Sequence, residues 1–168
     1  METLRGQGRL LVVVVDDAVA APRGGRSSAG GRPRARRGDK ARPAAPALIL
    51  IAEDEIVTAL HLEGLLSRLG YEVVGIVADA RSALATAERQ RPDLVLMDIR
   101  LRDADGIAVA GELVARLGIR PVYLTAHSDP ATRQRAEATR PLGWVLKPAA
   151  DGDIAAALQE AIAQLRTA

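Results

Sequence analysis

The sequence predicts an alternating α/β domain, a five-stranded parallel sheet with a helix after each strand. Three observations carry this. Between Ala47 and Ala168, five apolar runs alternate with five stretches of helical periodicity. The runs are rich in Leu, Ile and Val and show little polar alternation, as strands covered on both faces require. The intervening stretches, about 10–15 residues each, are long enough for right-handed crossovers between parallel strands.

The elements follow in order. Residues 48–52 read as the first strand, leading to Glu53-Asp54-Glu55. A helix is predicted near 56–69, with Ile56, Val57, Leu60, Leu65, Leu66 and Leu69 as its apolar stripe. Gly70 ends it, at the position past a helix where glycine is favoured. A strand over 72–77 and a helix near 80–90 come next, and Arg91-Pro92 breaks the chain. The third strand spans 93–98 and ends in Asp98. After a loop over 99–105, Gly106 leads into a helix near 106–117, closed by Gly118. Strand 121–125 ends in Thr125. Ser128-Asp129-Pro130 reads as a cap with proline in the first turn, opening a helix near 130–139. Strand 143–147 leads to Lys147-Pro148, and a helix near 151–166 completes the series.

Composition bounds the chemistry. Phe and Cys are absent, and Tyr71, Tyr123 and Trp144 are the only aromatics. The core must be built from aliphatic residues, and disulfides and thiolate metal sites are excluded. Residues 1–46 carry ten Lys/Arg against four Asp/Glu, whereas 47–168 carry thirteen against seventeen. The basic balance therefore belongs to the leader, so whole-chain charge is no argument for a nucleic-acid role. No apolar run approaches the ~18 residues needed to span a bilayer. The six-residue run Leu10–Val15 meets Asp16-Asp17, too short and too polar for an export signal. A cytoplasmic placement is expected.

The leader, residues 1–46, is basic and rich in Arg, Gly, Ala and Pro. From Pro22 to Pro46 it has almost no large apolar residue. Such a stretch cannot bury enough surface to offset its ordering entropy, and disorder is expected. Val12–Asp17 resembles a strand ending in paired acids, but no helical pattern follows it.

The four reactive strand ends carry the functional argument. Open α/β sheets bind ligands beyond the carboxyl ends of their strands. Glu53-Asp54, Asp98, Thr125 and Lys147 each follow a different strand, so acids, a hydroxyl and an ammonium are expected on one sheet edge. Lys147 has a further distinction. It is the domain's only lysine, every other cation being arginine. A compact, mobile point charge suits that place better than a planar guanidinium.

Taken together, residues 48–166 resemble the receiver domain of bacterial two-component response regulators. Glu53-Asp54 match the acidic pair after the first strand. Asp98, 44 residues beyond Asp54, matches the phosphoacceptor. Asp105-Gly106, Thr125-Ala126 and Lys147-Pro148 match later markers in order. The resemblance implies a flavodoxin-like, doubly wound sheet of order 2-1-3-4-5 with five helices. It also implies that Asp98 accepts a phosphoryl group with Mg²⁺ as cofactor. Asp54, Asp98 and the backbone carbonyl of Arg100 would hold the ion directly, with Glu53 holding one of its waters. Lys147 would pair with Asp98 and then with the phosphoryl group. Thr125 would donate a hydrogen bond to a phosphoryl oxygen and report the event. The Lys147–Pro148 bond is expected to be cis.

Other positions have two readings. Trp144 stands where the family carries a rotating Tyr or Phe. Its bulk suggests a switch altered or fixed outward, or a packed edge-strand aromatic. Arg100 and His127 flank the site two residues beyond Asp98 and Thr125, either tuning hydrolysis or lying exposed. His61 is expected to pack or meet solvent. Asp103 and Asp105 shape a turn and cap a helix. They are not a calcium loop, because a strand precedes them where such a loop needs a helix. No Gly-x-Gly-x-x-Gly follows any strand, so dinucleotide binding has no support.

The expected function is a stand-alone response regulator that takes phosphate from a histidine kinase or a phosphotransfer protein. The last helix is expected to end near Arg166, with no DNA-binding or catalytic module expected. The signal would pass through protein contacts on helix 130–139, strand 143–147 and helix 151–166, a face through which the family often dimerises. No membrane contact and no enzymatic turnover are expected beyond self-phosphorylation and autodephosphorylation. Two rivals remain: a phosphate-independent pseudo-receiver, and a haloacid dehalogenase-type phosphohydrolase. The latter needs Asp-x-Asp after the first strand, where this chain has Glu53-Asp54-Glu55.

Overall fold

The computed structural model describes residues 45–127 and 129–167. The readings made on residues 1–44 and on Ser128 lie outside the described residues. The elements run β1 (Leu48–Ala52), α1 (Ile56–Arg68), β2 (Glu72–Val77), α2 (Ala80–Gln90), β3 (Leu94–Met97), α3 (Gly106–Leu117), β4 (Arg120–Thr125), α4 (Pro130–Glu137), β5 (Gly143–Leu146) and α5 (Asp151–Thr167). All strand pairs are parallel, in the order β2-β1-β3-β4-β5. The predicted fold class and strand order hold. The main boundary change is α4, which ends at Glu137. Thr139 beyond it turns back to bond Ala136, and Arg140 takes a positive φ of 47°.

Alternating strand residues build two cores. Ile49, Ile51, Leu94, Leu96, Val122 and Leu124 face α1 and α5, against Leu62, Leu66, Leu158 and Ile162. Leu50, Ala52, Val95, Met97 and Tyr123 face the other way, against Ala83, Ala87, Ala110 and Leu113 of α2 and α3. Burying each Leu, Ile or Val contributes roughly 1.5–3 kcal/mol. The doubly covered central strands therefore anchor the sheet edge where the reactive groups sit.

Helix ends follow the local chemistry. Asp79, Asp105 and Asp129 cap α2, α3 and α4 by accepting from Ser82, Ile107 and Thr132 N–H groups. After α1, Tyr71 N–H bonds Leu66 O and Gly70 N–H bonds Ser67 O, with Gly70 at φ 82°.

The apolar stripe expected on α1 is partly wrong. Ile56, Val57 and Leu60 are exposed, at 53%, 72% and 54%. The buried face is Ala59, Leu62, Leu65 and Leu66. The N-terminal half of α1 is apolar nearly all round, so composition leaves the inward arc open. The sheet takes the arc centred on Ala59 and Leu62, at one helical repeat from Leu65 and Leu66.

Among the described glycines, Gly106 makes the closest approach. A Cβ there would lie 2.1 Å from Asp98 O and 3.0 Å from Ile99 Cα. Its N–H instead bonds Ile99 O at 2.6 Å, folding the loop after Asp98 onto the start of α3. Gly111, mid-helix in α3, would bring a Cβ within 4 Å of nothing. Gly106→Ala should therefore lower stability by about 1–3 kcal/mol, as overpacking does. Gly111→Ala should raise it by roughly 0.5–1 kcal/mol through helix propensity. Chemical denaturation of both variants checks the contrast, and a neutral Gly106→Ala refutes the close approach.

Tyr123 is fully buried, and its phenol shares a 3.0 Å hydrogen bond with Thr139 Oγ1. Burial pushes the phenol up to about 12 from 10, against the Thr139 bond that pulls it down. A raised acid binds more protons in the folded than in the unfolded chain, so stability falls as pH rises from 10 towards 12. Tyr123→Phe should cost about 1 kcal/mol at neutral pH, the usual worth of such a bond. That deficit should shrink as melting is followed into the alkaline range. A deficit independent of pH would show that the phenol ionises freely in the folded chain.

Candidate functional site

The carboxyl edge of the sheet is set by backbone bonds that continue the strands. Glu53 N–H donates to Val77 O at 2.9 Å, and Asp98 N–H to Ala52 O at 2.9 Å. Lys147 N–H donates to Thr125 O at 2.9 Å. These bonds hold the residues just beyond β1, β3 and β5 in fixed register. The side chains follow. Lys147 Nζ donates to Asp98 Oδ2 at 2.7 Å and to Glu53 Oε2 at 2.5 Å. The Lys147–Pro148 bond is cis.

The ammonium is thus shared between two carboxylates in a half-dry setting. Side-chain exposure is 22% for Lys147, 3% for Glu53 and 12% for Asp98. Burial by itself would lower the Lys147 ammonium, but the Asp98 and Glu53 hydrogen bonds and charges outweigh it and hold it above its ordinary value. Burial pushes the Glu53 carboxyl up, against the Lys147 bond and charge. The two partners differ for a reason. Lys147 faces two anions, while Glu53 receives part of one cation and feels the charge of Asp98.

The other residues singled out by the sequence lie at the ends of β1, β3 and β4. Asp98 Oδ1 accepts from Arg100 N–H at 3.1 Å, so the backbone of Arg100 turns beside the carboxylate. Thr125 is fully buried at the neighbouring strand end, and its Oγ1 accepts from His127 N–H at 3.2 Å. Asp54 is exposed at the rim and makes no side-chain hydrogen bond among the described residues. No group of three or more His, Cys, Asp or Glu poised for a metal occurs among the described residues. The donor set nevertheless fits a hard divalent cation. Every donor is oxygen, as Mg²⁺ prefers. Glu53, Asp54 and Asp98 with Lys147 leave a formal charge of −2 for a cation to offset.

Several contacts were not readable from the sequence. The Glu53–Lys147 pair joins residues 94 apart, and only the sheet order shows that they meet. Asp105, besides capping α3, pairs with Arg135 of α4. Trp144 packs inward, with its ring 5.0 Å from that of Tyr123 and the Arg133 guanidinium 4.9 Å from its centre. In this structure the indole packs against Tyr123 and does not point outward. His61 is exposed and bonds Asp151 at 2.7 Å, tying α1 to the start of α5.

Known proteins carry the same pattern. The sequence model for the response regulator receiver domain matches residues 49–159. The transcriptional regulatory protein PdtaR of Mycobacterium tuberculosis (strain H37Rv) is 35% identical over 73% of this chain and 60% of its own length. The phyllosphere-induced regulator PhyR of Methylorubrum extorquens is 31% identical over 68% of this chain and 43% of its own. The chain thus spans less than two thirds of these curated relatives. Among solved structures, the signal receiver domain of a modulated diguanylate cyclase from Desulfovibrio desulfuricans G20 is 32% identical. It aligns with 73% of this chain and 98% of that one, at a TM-score of 0.67. The cluster of Asp98, Lys147 and Glu53 on a 2-1-3-4-5 sheet, and these likenesses in sequence and structure, agree: the chain belongs to the response regulator receiver domain family of two-component signalling.

Proposed function

We propose that this chain is a Mg²⁺-dependent phosphorylation switch in which Asp98 accepts a phosphoryl group from a histidine kinase or a phosphotransfer protein. The observation that carries the reading is the Lys147 ammonium, 2.7 Å from Asp98 Oδ2 and braced by Glu53. In the transfer, an Asp98 carboxylate oxygen forms a bond to phosphorus while the bond from phosphorus to the donor breaks. The electron pair of the broken bond leaves with the donor. The negative phosphoryl oxygens approach a site that is itself negative, and preorganised cations offset that repulsion. Asp54, Asp98 and the Arg100 carbonyl would hold Mg²⁺, with Glu53 on one of its waters, and the ion would supply the larger share of this charge. Lys147 moves from sharing two carboxylates to pairing the phosphoryl oxygens. Thr125, buried at the end of β4, donates to another of them.

The rest of the reading follows from these roles. The receiver unit occupies residues 47–168, behind a basic leader over 1–46. No helix among the described residues is long and apolar enough to cross a membrane, consistent with action in the cytoplasm. The chain would signal through α4, β5 and α5, to a protein target or a second copy of itself. It would turn over no external substrate.

Incubation with Mg²⁺ and a small acyl-phosphate donor should add one phosphoryl group by mass, and Asp98→Asn or chelation should abolish it. Lys147→Ala should slow the transfer by about 10²–10³-fold, the usual loss for a preorganised charge. A wild-type chain that binds Mg²⁺ yet stays unmodified would favour a phosphate-independent binding module. Steady hydrolysis of external phosphate esters would favour the phosphohydrolase.

A further inference from the structure

Two segments carry the oxygen donors at the sheet edge, and a third touches both without joining the set. Glu53 and Asp54 follow β1, while Asp98 and Arg100 follow β3. The third segment is Ala78-Asp79-Ala80, which leads from β2 into α2. At its root, Val77 O accepts from Glu53 N–H at 2.9 Å. One residue on, Ala78 O accepts from Arg102 N–H at 3.3 Å. Ala80 N–H then donates to Asp103 Oδ1 at 3.2 Å. The connection after β2 therefore bonds the acid segment on one side and the loop after Asp98 on the other.

Residues 100–105 of that loop form a small hairpin. Arg100 and Asp105 pair as an antiparallel bridge, and Leu101 N–H donates to Ala104 O at 3.1 Å. Arg102 and Asp103 are its tip, and the Arg100 carbonyl belongs to its base. Leu101 is buried in the core on the α2 and α3 side of the sheet. A hairpin closed by such bonds moves as one unit, so a tip held at Ala78 and Ala80 fixes the base as well.

Asp103 does not cap the helix that follows it, because Asp105 does. It reaches α2 instead. The first N–H groups of a helix have no partner within it. Asp79 satisfies that of Ser82 at 2.8 Å, and Asp103 satisfies that of Ala80 from 23 residues away. A cap for α2 alone would not have to stand on the loop after Asp98.

We propose that the β2–α2 connection is a brace that sets the spacing between the acids after β1 and the loop after β3, with Asp103 as the positioning residue that closes it. The brace rests on the reading of this edge as a Mg²⁺ site. Mg²⁺ demands near-ideal octahedral geometry at ~2.0–2.1 Å, whereas Ca²⁺ accepts a flexible shell at ~2.3–2.6 Å. A narrow, fixed spacing favours the smaller ion, and a loosened one forfeits that preference.

Calorimetric titration of the full-length chain with Mg²⁺ and with Ca²⁺ tests the brace. Asp103→Ala should weaken Mg²⁺ binding about threefold to tenfold, the range that one lost hydrogen bond supports. Ca²⁺ binding should weaken less, so the ratio of the two affinities falls. Asp103→Asn keeps an acceptor oxygen for Ala80 N–H and loses only the charge, so it should weaken both ions alike and preserve the ratio. In the metal-free chain, amide exchange at Leu101 and Arg102 should be faster in Asp103→Ala than in wild type, and unchanged in Asp103→Asn. A residue that only caps α2 would lower the melting temperature and leave the affinity ratio where it was. The brace is overturned if Asp103→Ala weakens the two ions in equal proportion, or if Asp103→Asn lowers the ratio as far as Asp103→Ala does. If wild type takes up no Mg²⁺, the metal reading fails, and unchanged exchange at Leu101 and Arg102 in Asp103→Ala would then refute the brace independently.

Discussion

The Lys147 ammonium between Glu53 and Asp98 is the contact on which the site depends. Glu53 is almost wholly buried at the end of β1, where an unpaired carboxylate would be costly. Asp98 stands beside it at the end of β3, and two neighbouring carboxylates repel each other. One ammonium satisfies both, and it must come from the end of β5, two strands away from β3 in the sheet. The backbone bond from Lys147 N–H to Thr125 O fixes that approach. The pairing also leaves the edge net negative, which favours a hard divalent cation there.

The rest of the fold can be understood as support for this edge. Doubly covered β1, β3 and β4 provide a rigid floor. Gly106 lets the loop after Asp98 fold back onto the start of α3, where any side chain would collide with the Asp98 carbonyl. Stiffness declines towards the β5 side. There α4 is short, its arginines reach across to Asp105 and Trp144, and little of it is buried. The firmly packed sheet edge thus stands next to an element whose position a few contacts decide.

Much of the fold was readable along the chain because its signals are local. Strand runs, capping aspartates and the glycines after α1 and α3 act within a few residues of themselves. Asp129 with Pro130, and Gly118 at φ 72°, opened and closed helices where expected. The misread was α1. Ile56, Val57 and Leu60 are as apolar as Leu65 and Leu66, and only the packed sheet selects which arc turns inward. The expected convergence of Asp98 and Lys147 was reached through the order of motifs along strands. The pairing of Lys147 with Glu53 was not, because it depends on which strands are neighbours.

The sequence by itself determined the alternation of strands and helices, the residues at each strand end, and the kind of chemistry they can support. Periodicity, turn residues and side-chain type are properties of the chain alone. Only the tertiary structure decided which of those groups touch: the ammonium shared by two acids, the arginine over Trp144, the inward indole, and the exposed face of α1. Such contacts join residues far apart in sequence. They are set by strand order and by competition for buried space, which no short stretch of sequence encodes.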